Sequence, residues 1–213
     1  MRNILVLTGP SGVGKTSVAE KILSMSDKFS FVRSATTRPK REDKYGEEYI
    51  YLEREAFLRL LDSSEMLEYT EYSGNYYGTP KSELERIFTE GKTPLLILDI
   101  CGAVSIKKLK EEFTSVNIYL WEEPTVIEDR LYSRAPRDTV GFEKRKSANK
   151  RDYKSLSEYG KYFDVFLRSE EISKTAEDCI SIFKKAKDEE IKIDNKIFFF
   201  INLCSFLFCS SWS

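Results

Sequence analysis

Residues 9–16 read Gly9-Pro10-Ser11-Gly12-Val13-Gly14-Lys15-Thr16. This glycine-rich run, closed by a lysine and a hydroxyl residue, matches the phosphate-loop pattern G-x-x-x-x-G-K-[ST]. Glycines let the backbone turn tightly, so that its N–H groups point inward at phosphate oxygens. Lys15 is spaced to reach terminal phosphates, and the Thr16 hydroxyl to meet Mg²⁺. The stretch from Gly9 through Ser17 is therefore the expected triphosphate site. An ordinary strand-to-helix turn is the plainer alternative, but such a turn has no need of a Lys-Thr pair directly after it. A second candidate is Asp99, which closes the apolar run Leu95–Leu98. A carboxylate at the tip of a buried strand is costly without a partner. It either caps the next element or faces a ligand.

These residues need a frame. Apolar runs at Ile4–Leu7, Phe31–Ser34, Leu95–Asp99, Val116–Leu120 and Asp164–Leu167 read as core strands. Helical spacing covers Lys15–Met25, Thr79–Thr89, Gly102–Glu112, Pro124–Ser133, Gly141–Tyr159 and Ser173–Lys187, with Pro124 suited to a first turn and Ser173 to a cap. Alternation of the two predicts an α/β fold with a parallel sheet flanked by helices. Ligands bind such sheets outside the carboxyl ends of the strands, where the phosphate loop, Ser34 and Asp99 would gather. The segment from Arg38 to Thr79 breaks the pattern. It reads as strands at Glu48–Leu52 and Met66–Tyr72, a helix at Glu53–Leu61 and a Ser73-Gly74-Asn75 turn before Tyr76-Tyr77, hence an inserted α+β lobe. Arg130 to Arg151 is arginine-rich without a strong apolar stripe.

The chain has 213 residues, suiting one domain with small inserted lobes. It carries 34 basic and 35 acidic side chains, so no basic excess argues for a nucleic-acid partner. It has no histidine, which removes Ser-His-Asp triads, His-ligated zinc and His general bases. Cys101, Cys179, Cys204 and Cys209 suit neither a zinc site nor a disulfide framework. A reducing compartment is the default, and no leader-like stretch precedes the first strand, so the cytoplasm is expected. Residues 191–213 form a tail, apolar and aromatic from Ile197 to Trp212. That stretch is too short for an ordinary membrane span of about 20 residues. Its readings are a segment docked on the body, an exposed tail, or a membrane-associated tail.

The segment Ser34-Ala35-Thr36-Thr37-Arg38-Pro39-Lys40-Arg41, then Gly46 and Tyr49, then Ser73-Gly74-Asn75-Tyr76-Tyr77-Gly78-Thr79, resembles the guanylate kinase family. The resemblance runs from about Arg2 to Lys187. It implies ATP and GMP as substrates with Mg²⁺ alongside ATP, and three working parts within residues 1–190. These are a P-loop core (1–37, 80–130 and 160–190), a GMP-binding lobe (38–79) and a helical lid (131–159). The implied GMP contacts are Ser34, Arg38, Arg41, Asp43, Tyr49, Glu68, Tyr77, Thr79 and Asp99. The implied catalytic set is Lys15 with the lid arginines Arg130, Arg134 and Arg145; Arg137 has no clear counterpart.

The chemistry agrees with that assignment. Arg38 and Arg41 can grip a phosphate dianion through bidentate charge-assisted hydrogen bonds. Ser34, Tyr49 and Tyr77 add hydroxyl donors. A buried Glu68 accepts from the adjacent N1–H and N2–H of guanine, and adenine offers no such pair. Fixed guanidinium groups stabilise the charge of a moving phosphoryl group. The chain also departs from the family. Cys101 stands where a second acid is usual, the loop after it is one residue shorter, and so is the loop after Arg41, where Asp43 or Glu42 could serve the site. Arg168-Ser169-Glu170 replaces the usual Asn-Asp near the adenine pocket. Two other readings are an inactive guanylate-kinase-like module that binds proteins and a P-loop kinase with another acceptor.

Overall fold

A computed structural model of the protein describes residues 2–40, 49–72, 74–134 and 139–188. Arg41, Asp43, the alternative Glu42, Gly46 and the 191–213 tail lie outside the described residues, as does the side chain of Arg134.

The core is a five-stranded parallel sheet in the order β2-β7-β1-β8-β9. Its strands are β1 (Asn3–Thr8), β2 (Phe29–Phe31), β7 (Thr93–Ile97), β8 (Thr114–Trp121) and β9 (Val165–Arg168). Parallel strands buried on both faces read as unbroken apolar runs, and β1 shows why. Ile4 and Val6 point into a cluster with Leu96, Leu98, Ile106 and Tyr119. Leu5 and Leu7 point into another with Val18, Ile22, Leu95 and Ile118. All four β1 side chains are fully buried, each contributing about 1.5–3 kcal/mol of apolar transfer. The neighbours of β1 come from later in the chain on both sides, so the order reverses at its carboxyl end. The Gly9–Thr16 loop lies at that switch point.

The second sheet runs β4-β3-β6-β5, from β3 (Ser34–Thr36), β4 (Tyr49–Tyr51), β5 (Met66–Tyr72) and β6 (Asn75–Pro80). β3 pairs parallel with β4 and antiparallel with β6, which pairs antiparallel with β5. The helices are α1 (Lys15–Met25), α2 (Arg54–Asp62), α3 (Lys81–Thr89), α4 (Ile100–Lys108), α5 (Pro124–Arg134), α6 (Thr139–Tyr159) and α7 (Ile172–Asp188).

Several expected boundaries move, each for a visible reason. The strand expected over Phe31–Ser34 is two strands in two sheets. Val32 N–H still bonds Leu95 O of the core sheet, then Arg33 turns away with its N–H and guanidinium on Glu83. The helix expected from Thr79 begins at Lys81, because Thr79 and Pro80 stay paired with β5. The helix expected over Gly102–Glu112 is α4, starting earlier because Asp99 caps it, Gly102 N–H donating to Asp99 Oδ1 at 2.7 Å. Ser173 does not cap α7. Glu171 does, accepting from the N–H groups of Ser173 and Lys174, each at 2.9 Å. Those bonds hold the Glu171 carboxyl below its ordinary range.

Candidate active site

Alternation along the lobe strands decides which side chains meet. Paired residues share a face of a sheet, and residues two apart on one strand do too. Ser34 pairs with Tyr49, Thr36 with Tyr51 and Tyr77, Thr70 with Tyr77, and Glu68 with Thr79. One face of the lobe therefore carries Ser34, Tyr49, Tyr77, Glu68, Thr70 and Thr79. The rings of Tyr49 and Tyr77 meet edge-on at 6.2 Å, and the Arg38 guanidinium lies over Tyr49 at 5.7 Å. Arg38 is steered there by its own backbone, whose N–H donates to Thr36 Oγ1 at 3.1 Å. Arg38 Nη1 is buried without a hydrogen-bond partner among the described residues. A desolvated cationic N–H of that kind suits an anion.

Glu68 is the other polar anchor. Thr79 Oγ1 donates to its Oε1 at 2.6 Å. Burial pushes the carboxyl up to about 7, the Thr79 bond pulls the other way, and the Asp99 charge adds to the rise. α4 packs tightly at this point. A Cβ on Gly102 would stand 3.1 Å from Glu68 Oε2 and 3.3 Å from Asp99 Oδ1. The glycine lets two carboxylates close on one helix start, and Asp99 both caps that helix and borders the cleft.

The phosphate loop is fixed by its glycines and by donors to its carbonyls. Gly9 has φ +147°, and a Cβ there would be 2.3 Å from Leu120 O, so no side chain fits. Gly14, at φ +107°, takes the left-handed backbone that leads into α1. Lys15 Nζ donates to Gly9 O at 2.6 Å and Pro10 O at 3.1 Å. Arg130 from α5 donates to Val13 O and Ser169 O, each at 3.2 Å, and to Glu170 O at 3.4 Å. Its guanidinium thus braces the loop and the segment after β9.

Loop and lobe face one cleft of about 450 Å³, lined by Gly9, Ser11, Lys15, Thr70, Tyr77, Asp99, Arg145, Asn149 and Asp152, among others. The structure therefore brings together Lys15, Tyr77, Asp99 and Arg145. It sets Glu68 and Thr79 behind Asp99, and places Arg130 on backbone carbonyls. Cys101 is exposed and is not among the lining residues. Its sulfur is nonetheless partly desolvated, and that, then the charges of Asp99, Asp152 and Glu158, push its thiol up.

Four residues at or beside this cleft escaped the sequence reading: Thr70, Gly102, Asn149 and Asp152. Asp152 is pushed up to about 6 by burial, with Lys15 opposing and Asp99 reinforcing the rise. Asn149 and Asp152 carried a signal. Together with Arg145 they recur at i, i+4 and i+7, one face of a helix that otherwise lacks an apolar stripe.

Among the described residues, no cluster of three or more acidic, cysteine or histidine side chains could hold a metal. No helix there is long and apolar enough to cross a membrane. A guanylate kinase family model matches residues 1–186. A guanylate kinase of Prochlorococcus marinus (strain MIT 9312) is 34% identical over 188 residues, covering 86% of this chain and 97% of the relative. One from Clostridioides difficile (strain 630) is 28% identical over 198 residues, covering 91% and 93%. The crystal structure of a guanylate kinase from Anaplasma phagocytophilum superposes with a TM-score of 0.64 at 26% identity, covering 92% of this chain and 93% of that one.

Proposed function

The chain belongs to the guanylate kinase family, and from that premise we propose that it transfers the γ-phosphoryl group of ATP to GMP, yielding ADP and GDP. The observation that carries this reading is the meeting of two anion-binding surfaces across one cleft. Lys15 and the loop stand on one side, and the lobe face with Tyr77 and Thr70 on the other.

On this reading Gly9–Ser17 hold the ATP phosphates. Ser34, Arg38, Tyr49 and Tyr77 hold the GMP phosphate together with Arg41, while Glu68 and Thr79 read the guanine edge. Asp43 and Asp99 complete that site. An oxygen of the GMP phosphate attacks the γ-phosphorus while the bond to the β–γ bridging oxygen breaks and its electrons leave with ADP. The acceptor oxygen is already ionised near neutral pH, so no protein base has to remove a proton. Lys15, Arg134 and Arg145 neutralise the moving group, and Arg130 steadies the loop beside it. The proposed working parts are the core, the lobe over 38–79 and the lid over 131–159.

Mg²⁺ fits this site as a passenger of the nucleotide. The described residues offer no three-ligand cage, and this cation usually takes only one or two protein oxygens beside substrate phosphates. Thr16 would hold it through its hydroxyl. When bound, it neutralises charge on the β- and γ-phosphates. The cytoplasm is the proposed compartment, resting on the cysteine pattern.

A coupled assay with GMP, AMP, CMP and UMP as acceptors tests the reading. GMP should be phosphorylated by far the fastest, and Lys15→Ala should abolish turnover while leaving GMP binding within about twofold. A site built on hydrogen bonds rejects a base lacking its partner groups by about 10⁴–10⁵-fold. No turnover with any acceptor would instead indicate a binding module, and preference for another nucleotide would overturn the assigned base reader.

A further inference from the structure

We propose that Asn149 is a positioning residue: by bonding both backbone groups of Ser11, it pins the lid helix to the phosphate loop and so sets Arg145 in the cleft with Lys15. Ser11 N–H donates to Asn149 Oδ1 at 2.7 Å, and Asn149 Nδ2 donates to Ser11 O at 3.0 Å. The two contacts span 138 residues of sequence. They form a closed pair in which one amide plane matches one residue's donor and acceptor. Flipping the amide would set donor against donor and acceptor against acceptor, so its orientation is self-determined. Asn149 is 1% exposed, and losing either bond would leave a buried polar group unpaired.

What makes this contact functional rather than only cohesive is its place on α6. Along that helix, among residues with described side chains, only Asn149 and Leu156 are buried. Before Asn149, α6 is held to α5 by a Lys146–Glu128 ion pair at 3.0 Å and an edge-on contact of Tyr132 with Phe142. Both are more exposed than the amide pair. Arg145 lies four residues before Asn149 and Asp152 three after it, so the three stack on one face, and all line the cleft. Fixing the middle one fixes the height and rotation of the other two relative to the loop. No other side chain of similar size supplies the pair: an aspartate carboxylate lacks the donor, and serine lacks the second arm.

The inference rests on the proposed role of Arg145, and a double-mutant cycle separates the two. Wild type, Asn149→Ala, Arg145→Ala and the double variant are compared in kcat and in KM for each nucleotide, with thermal melts to establish folding. Asn149→Ala should lower kcat about tenfold to a hundredfold, the scale of a misplaced catalytic group. KM for GMP should stay within about twofold. The double variant should be no slower than Arg145→Ala within about twofold, because Asn149 acts through Arg145. Losses that multiply would reduce Asn149 to packing and overturn the proposal, as would unchanged or raised turnover in Asn149→Ala. Unchanged turnover in Arg145→Ala would remove the Arg145 assignment and this inference with it. Should Asn149→Ala not fold, Asn149→Ser, which adds no charge and cannot make both bonds, carries the same cycle.

Discussion

Glu68 faces two opposed demands. To accept two hydrogen bonds from guanine it must be ionised, yet burial, opposed by Thr79 and reinforced by Asp99, lifts its carboxyl to about 7. Between pH 6 and pH 8 its ionised fraction in the free protein rises from roughly one tenth to nine tenths, so GMP affinity should rise about tenfold over that interval from this group alone. Calorimetric titration of wild type and Glu68→Gln, compared as a ratio at each pH, removes the ionisation of GMP itself. A ratio constant with pH would show that Glu68 does not read the base. Linkage gives the same group a stability signature. Its folded value lies above the ordinary 4.5, so its contribution to stability is fully present below about 4.5 and lost as pH rises toward 7. The loss is of order 3 kcal/mol. Glu68→Gln should therefore raise Tm more at pH 8 than at pH 5.

At the scale of elements, the passage from β2 to β3 carries the architecture, since there the chain leaves one sheet for the other. Glu83 of α3 secures it. Only 4% exposed, it accepts from the Arg33 backbone N–H and guanidinium and from Arg86. Burial pushes its carboxyl up, but the hydrogen bonds of Arg33 and Arg86 outweigh that and bring it to about 2. A depressed value means stabilisation present above about 4.5 and lost as pH falls toward 2. Glu83→Gln should cost about 1–3 kcal/mol in urea unfolding at pH 7, with the gap to wild type narrowing by pH 3. An equal gap at both pH values would show that charge is not what holds the junction. Part of this junction was legible in the chain: the apolar pair Phe31-Val32 marks a core strand, although that strand ends at Phe31 and a new one begins at Ser34. Its division between two sheets was not, because Glu83 lies 50 residues from Arg33.

For the whole molecule, among the described residues one apolar cluster runs to Phe166 and the other to Ala186, and the family match ends at 186. A chain ending at Glu190 should therefore fold with a Tm within about 2 °C of the full chain, about 0.5–1 kcal/mol at this size. Its turnover of GMP should stay within about twofold. Loss of turnover or a drop well beyond that margin would give residues 191–213 a structural role. Scanning calorimetry and the coupled assay on both chains decide it.

The local chemistry was written in the chain by itself. Gly9, Gly12 and Gly14 dictate a loop because each takes a positive φ that side chains rarely adopt, and the alternation of apolar runs with helical spacing dictates a parallel sheet with helices on both sides. The strand Met66–Tyr72 that carries Glu68 was legible as well, but its pairing with Thr79 was not, since the spacing put Thr79 at the start of a helix. What only the tertiary structure decided are the encounters between distant segments. Asn149 meets Ser11, Arg130 turns to the carbonyls of Val13 and Ser169, and Gly102 admits Glu68 beside Asp99. Such contacts depend on how helices and sheets dock, a matter of packed volume and buried polar partners summed over the whole core, and no spacing within a single segment encodes it.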